Sequence, residues 1–378
     1  MRHPQALISK GLPLKHLRAG LAIGTALTAM IALSSCASNE AAAPASSGAA
    51  SATSYTGTLN GVGSSAQSNA QTAWAKGFQT ANSSVTINYD PQGSGAGRTA
   101  FESGGADFAG SDSALPAAEL SGDFKLCKAG TKGIDIPVYI SPVALVYNLA
   151  GVTDLQLDAP TLAKIFSGKI TKWDDAAIKA LNPDAKLPST AITAVYRSDK
   201  SGTTANFTDY LSQAAPSDWT APSADAFPYN KGEGAAKGSG VVSAVTGGKG
   251  TIGYVDNSSA GTLSVAKIKV GTSYVAPSAA VASKTAETSP LDTTHTGNDV
   301  VVKINRTTTD SGEYPITLVS YLIACQTYTD ASVGTLVSGY AQYLTSTDGQ
   351  QAAADSAKSA PMTGTLLAKA EAAAKTIK

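Results

Sequence analysis

Tyr196-Arg197-Ser198-Asp199-Lys200-Ser201-Gly202-Thr203-Thr204 gathers an arginine, several hydroxyls and a glycine at the junction of two elements. Ile192 to Tyr196 alternates as a strand, and Phe207, Tyr210 and Leu211 fall on one face of a following helix. Ser201 and Thr203 offer hydroxyls, and Gly202 admits close approach of the backbone. The first N–H groups of the helix lack acceptors and lie at the positive end of its dipole. Arg197 adds a planar guanidinium able to grip two oxygens at once. Anion binding is the chemistry of this set; the plain alternative is a capped helix beside a surface Arg/Asp pair.

Three more serine-bearing turns stand earlier in the chain. Leu59 to Ser65 reads as a short strand and glycine turn, after which Ala70, Trp74 and Phe78 recur every four residues on a helix face. Ser65 falls where an N-cap or first-turn hydroxyl belongs. Val85, Ile87 and Tyr89 alternate as a second strand, followed by the turn Gly93 to Gly97 and a short helix around Arg98 to Glu102. A third strand, Asp107-Phe108-Ala109, ends at Gly110-Ser111-Asp112-Ser113. Such turns belong to the carboxyl edge of an open α/β sheet, where ligands bind. The Gly93 turn lacks the Gly-Lys-Ser/Thr of a Walker loop and the spacing of a dinucleotide fingerprint.

With 378 residues, no net formal charge and 15% charged residues, the chain carries no footprint of nucleic-acid binding. Its length suits two domains or one large one. Arg2, Lys10, Lys15 and Arg18 precede an uncharged apolar stretch, Gly20 to Leu33, too short to span a bilayer. It ends in Leu33-Ser34-Ser35-Cys36, which resembles the lipobox of bacterial lipoproteins. Residues 1–35 are therefore expected to be a signal peptide and Cys36 the acylated first mature residue; the alternative is an ordinary signal peptide with an incidental cysteine. Residues 36–56, rich in Ala, Ser, Gly and Pro, read as a tether. Cys127 and Cys325 remain, and in an exported protein such a pair reads as a disulfide.

Leu162-Ala163-Lys164-Ile165-Phe166-Ser167-Gly168-Lys169-Ile170-Thr171-Lys172-Trp173-Asp174-Asp175 makes the reading specific. Together with Arg197 to Thr204, Asp107 to Asp112 and Gly253-Tyr254-Val255, it closely resembles the phosphate-binding protein of the bacterial high-affinity phosphate ABC transporter. The resemblance covers most of residues 58–345. It implies the α/β, two-domain periplasmic-binding-protein fold of type II, each domain a mixed sheet flanked by helices and joined by hinge strands. The apolar run Ile134 to Asn148, interrupted by Pro137 and Pro142, would leave the first domain, and Tyr314 to Tyr321 would return to it. Domain I is then 57–140 with 318–378, and domain II is 141–317.

Carried over residue by residue, the resemblance implies a phosphate shell of Ser65 with the N–H of Ala66, Ser94 and Asp112 from the first domain. Arg197, Ser201, Gly202 and Thr203 come from the second. The family's threonine-aromatic pair is Ser65-Ala66 here, and Gly95 stands where a second serine is common. The implied partners are inorganic phosphate, the permease subunits of an ABC importer, and the membrane through the lipid anchor, with no cofactor, metal or nucleic acid.

A carboxylate facing an anion has a chemical reason. Inorganic phosphate keeps at least one proton near neutral pH, so Asp112 could accept a hydrogen bond that sulfate cannot offer. Sites built around one substrate hydroxyl reject the analogue lacking it by roughly 10⁴ to 10⁵. Asp112 could equally be a turn or capping aspartate. A sulfate, molybdate or sugar receptor, a surface adhesin, and a serine hydrolase or phosphatase are the competing functions. No Gly-x-Ser-x-Gly elbow occurs, and the mature chain's one histidine, His295, falls in residues 276–312, which read as a polar surface excursion. Asp174-Asp175 reads as an exposed charge pair rather than a metal site. Downstream, Val333 to Leu344 marks a helix starting near Asp330, and the Ala-rich tail is expected to be helical.

Overall fold

Period-two runs alternating with helical runs give the front of the chain a repeated strand-helix unit. In the computed structural model, which describes residues 54–378, β1 (Gly57–Gly63) leads into α1 (Ser68–Ala81), β2 (Val85–Asp90) into α2 (Ser94–Glu102), and β3 (Phe108–Ser111) towards the short α3 (Ala117–Leu120). β1 pairs in parallel with β2 on one side and β3 on the other, so the carboxyl ends of all three share one edge.

β4 (Gly133–Asn148) is a single long strand despite its two prolines. It is followed by β5 (Gln156–Leu157), α4 (Ala159–Phe166) and α5 (Ala176–Leu181). β6 (Thr193–Arg197) runs into α6 (Gly202–Ala214), and β7 (Glu233–Ala235) into α7 (Lys237–Gly247). β8 (Thr251–Asp256) precedes the short strands β9 (Ser264–Val265), β10 (Lys267–Val270) and β11 (Ser273–Val275). Then come α8 (Ala279–Thr288), β12 (Thr317–Cys325), α9 (Ala331–Thr345), α10 (Thr347–Ala357) and α11 (Gly364–Ala374).

The main sheet runs β2-β1-β3-β12-β4-β8-β6-β7, with β9 beside β4. β4 changes partner along its length: Gly133 to Pro142 lies antiparallel to β12, and Val143 to Asn148 lies antiparallel to β8. The prolines sit where their missing N–H is tolerated. Pro142 faces Thr317, the first residue of β12, and Pro137 faces Tyr321, where the register shifts between Ser320 and Tyr321. The chain is thus α/β with mixed pairing, and β4 and β12 connect the two halves of the sheet.

Aromatic side chains fill both halves. Phe78 and Phe108 pack with Tyr340 of α9, the Phe78 and Tyr340 rings 5.4 Å apart, and Trp74 meets Tyr139 edge-on at 6.4 Å. In the other half Phe166 meets Phe207 edge-on at 4.8 Å, and Phe207 stacks on Tyr254 at 4.6 Å. Such rings each bury roughly 150–250 Å² and dominate the core energetics. The Ala-rich tail forms α10 and α11, whose Ala353, Ala357, Ala370 and Ala374 are buried. Asp330 caps α9 by accepting from Ser332 N at 2.8 Å.

Cys127 and Cys325 are joined, with Cα atoms 5.2 Å apart and a sequence separation of 198. Closing so long a loop stabilises by at most about 5 kcal/mol in the chain-entropy account. Residues 276–312 differ from the surface excursion expected. They contain α8, and Val300, Val301, Val302 and Ile304 are buried against the core. The many Thr and Ser residues of this stretch mask the short apolar run that anchors it. Cys36, the signal segment 1–35 and nearly all of the tether 36–56 lie outside the described residues.

Candidate anion-binding site

β1, β2, β3 and β6 all end on the same cleft, and each delivers one turn to it. The third turn carries Asp112, which is 3% exposed. Its Oδ1 accepts from Ser320 Oγ at 2.7 Å and its Oδ2 from Thr203 Oγ1 at 3.2 Å. The Ser64 hydroxyl lies close enough to favour its charged form. Burial raises the carboxyl's pKa above its usual value, opposed by the hydroxyls of Ser64 and Ser320, the charge of Arg197 and the hydroxyl of Thr203. A carboxylate offers about four lone-pair sites, so the two hydroxyl donors leave room for a ligand O–H.

The neighbouring turn holds Asp112 in place. Asp112 N donates to Ser94 Oγ at 3.1 Å, which leaves the buried Ser94 hydroxyl hydrogen free to donate elsewhere. Ser94 opens α2 after Gly93, whose φ of 103° suits glycine. A Cβ at Gly93 would lie 2.6 Å from Asp199 Oδ2, so glycine is also needed for the close approach of the two sides.

Across the cleft, Arg197 ends β6 and is buried. Its Nε and Nη2 donate to Asp199 Oδ1 and Oδ2 at 2.7 and 2.5 Å. The fork is therefore aimed, and the Nη1 hydrogens remain for another acceptor. Burial works to raise the pKa of Asp199, but the hydrogen bond and charge of Arg197 outweigh it and hold the carboxyl below its ordinary value. Lys237, with φ 61°, donates its backbone N–H to Asp199 Oδ1 at 2.9 Å. Tyr254 OH accepts from Arg197 N at 3.1 Å and bonds Thr204 Oγ1 at 2.8 Å, fixing strand end to helix start.

Ser201 is the N-cap of α6, its Oγ accepting from Thr204 N at 3.4 Å. The N–H groups of Gly202 and Thr203 are first-turn donors with no intrahelical acceptor. Gly202 lies directly on the opposite wall: a Cβ there would come within 2.7 Å of Asp112 Cβ and of Ser94 Oγ. Asn206 Nδ2 donates to Asp112 O at 2.7 Å and to Gly202 O at 2.9 Å, locking the two turns together. The N-termini of α2 and α6 thus bring positive dipole ends to a site where Arg197 presents a free cationic edge.

Ser94, Asp112, Arg197, Ser201, Gly202 and Thr203 are therefore neighbours. At the first turn the hydroxyl that favours the charged form of Asp112 is that of Ser64, and Ala66 N donates to Ser64 Oγ at 3.0 Å. Ser65 instead accepts from Gly238 N across the cleft at 3.2 Å. Ser320 was visible as one hydroxyl inside the apolar run Leu318 to Ile323, and a bulge directs it onto Asp112. Asn206 and Ser64 gave no such signal. His295 belongs to a separate cluster: its Nδ1 is 2.6 Å from Asp299 Oδ2 and 4.0 Å from Asp135 Oδ2.

The sequence model of the PBP superfamily domain matches residues 45–348. The phosphate-binding protein PstS3 of Mycobacterium bovis (strain BCG / Pasteur 1173P2) is 37% identical over 339 residues, covering 86% of this chain and 90% of that protein. The phosphate-binding protein PstS 3 of Mycobacterium leprae (strain TN) is 38% identical over 332 residues, covering 85% and 89%. Among solved structures, a high-affinity periplasmic phosphate-binding protein (PfluDING) bound with phosphate superposes with a TM-score of 0.68 at 26% identity, covering 83% of this chain and 93% of that one.

Proposed function

The chain belongs to the PBP superfamily and within it to the phosphate-binding proteins, with their two-domain type II fold; on that premise we propose that it captures inorganic phosphate in the cleft and delivers it to an ABC importer. The observation that carries this reading is a buried carboxylate, Asp112, set among neutral donors and helix N-termini with Arg197 opposite. A site for a fully ionised oxyanion has no use for a second negative charge. A protonated one donates its O–H to Asp112, while its other oxygens accept from Ser94, Ser201, the N–H groups of Gly202 and Thr203, and Arg197.

Ser65 and Ala66 complete the shell from the first turn once an anion competes for their present partners. The domain boundaries go with this reading: 57–140 with 318–378, and 141–317, meeting where β4 exchanges β12 for β8. The protein is a binder rather than an enzyme. His295 bonds Asp299 and none of the site's serines.

It works outside the cytoplasm, held to the membrane through acylated Cys36. Among the described residues no helix is long and apolar enough to cross a membrane. One acyl chain binds only marginally, so a firm anchor needs two or more. Cys36→Ala should move the full-length protein from the detergent to the aqueous phase on phase separation; identical partitioning of parent and variant removes the anchor. Calorimetric titration of the purified protein with phosphate tests the function, and no binding heat at millimolar phosphate would overturn it.

A further inference from the structure

Arg98 lies beside the turn that carries Asp112. It follows the Gly93 turn on α2 and is 4% exposed. Nε donates to Glu119 Oε2 at 2.7 Å, and Nη2 donates to Glu119 Oε1 at 3.3 Å and to Asp225 Oδ2. Nη1 donates to Ser113 Oγ at 2.8 Å and to Ser111 Oγ at 3.2 Å. A guanidinium has five N–H donors, and all five are engaged. Burial works against its charge, but Asp225 and Glu119 more than offset that and keep it ionised.

The partners explain why such a residue sits there. Ser111 and Ser113 flank Asp112 on the first side of the cleft. Asp225 lies on the other side, between α6 and β7, and its backbone carbonyl accepts from Ser201 N at 3.0 Å. Ser113 Oγ also donates to Asp225 Oδ1 at 3.0 Å. One buried cation therefore ties the turn of Asp112 to the turn of Ser201 through a single loop residue.

We propose that Arg98 and Asp225 form an interdomain clasp that holds the two halves of the anion site together, so that Arg98 is a positioning residue that sets the rate of ligand release. The clasp rests on the phosphate reading for its ligand and predicts a specific kinetic pattern. Cutting it removes contacts made only when the halves are together, so it speeds dissociation and leaves encounter and the preference for phosphate over sulfate unchanged.

Asp225→Ala separates the clasp from the obvious competitor, in which Arg98 itself binds the anion. In the clasp, Asp225→Ala speeds phosphate release about 10- to 100-fold, the effect of one lost charge-assisted contact, with association within about threefold of wild type. If Arg98 were a ligand, freeing it from Asp225 would leave affinity equal or tighter. Stopped-flow fluorescence of full-length protein with inorganic phosphate reads both rates. Asp225→Asn, which keeps the shape of the loop, gives a smaller acceleration of the same sign and covers the case in which the alanine variant fails to fold.

Unchanged release in both variants, or tighter binding in either, overturns the clasp. Wild-type protein that binds no phosphate would instead sink the phosphate reading. The clasp is then judged by small-angle scattering of the ligand-free protein, where Asp225→Asn must raise the radius of gyration and an unchanged profile refutes it.

Discussion

Asp112 and Asp199 stand on opposite sides of one site and are shifted in opposite directions. Asp112 is buried among hydroxyls with no cation bonded to it, and burial raises its pKa. Asp199 is bonded at both oxygens by Arg197, which overcomes the effect of burial and lowers its pKa. The same side chain thus serves two purposes. Paired with a cation it is a fixed strut that aims the guanidinium; surrounded by neutral donors it keeps an open lone pair for a substrate hydroxyl. The difference lies in the neighbours.

Asp256 extends the comparison and gives the largest expected effect. It is buried at the end of β8, accepts from Tyr139 OH at 3.1 and 3.2 Å and from Ser258 N at 2.9 Å, and has no cation bonded to it. Burial pushes it up to about 6, with the charge of Asp112 adding to the rise. Because the folded value exceeds the usual 3.8, the native state holds the extra proton between the two. The stability this contributes is complete below the usual value and is lost as pH rises through about 6, roughly 3 kcal/mol in all. Denaturant unfolding of wild type and Asp256→Asn at pH 4 and pH 7 should show wild type losing ground to the variant at the higher pH. A difference that does not change with pH would mean that burial among neutral donors fails to raise this acid, and the contrast between Asp112 and Asp199 would lose its physical basis.

Arg197→Ala breaks the other side of the comparison. Losing one charge-assisted contact should weaken phosphate binding by about 1.5–3 kcal/mol. Because the half-buried Asp199 would then lack its cation, its pKa should rise, which NMR titration of the carboxyl carbon can follow. An affinity change below about threefold would remove Arg197 from the shell.

Gly202→Ala tests the closeness of the two sides with a smaller effect. A new Cβ at 2.7 Å from Asp112 Cβ forces the turns apart. The expected loss of phosphate affinity is about 1–2 kcal/mol, within the range for overpacking a tight contact. The ligand-free protein should show a larger radius of gyration, because opening of the cleft relieves the clash. Wild-type affinity in this variant would mean that binding does not need the contact seen here.

Much of this was legible in the sequence because local signals and global fold agree. Strand and helix periods located β1 to β3 and α1, and the Arg197 to Thr204 stretch showed a strand end and a capped helix start that suit an anion, with a plain capped helix as the alternative until the other motifs were added. What escaped notice depends on long-range register. Whether Ser64 or Ser65 faces Asp112 is decided by the packing of β1 on β3, where a Cβ at Gly63 would lie 2.0 Å from Gly110 O. Ser320 reaches the site through a bulge in a strand far along the chain, and no local pattern reports a bulge. Arg98 read as one charge on a short helix; its five hydrogen bonds go to four residues in three other segments. The burial of Val300 to Val302 was hidden by the polar residues on either side.

The claim that most needs testing is that Asp112 reads the proton on the ligand. Phosphate and sulfate affinities of wild type and Asp112→Asn, measured by calorimetry at one pH and ionic strength, address it directly. Wild type should prefer phosphate by roughly 10⁴ or more, and Asp112→Asn should narrow that preference sharply, because an amide can turn its N–H toward an unprotonated oxygen. If Asp112→Asn keeps the wild-type preference while binding phosphate, Asp112 only caps its turn and the account of selectivity is wrong.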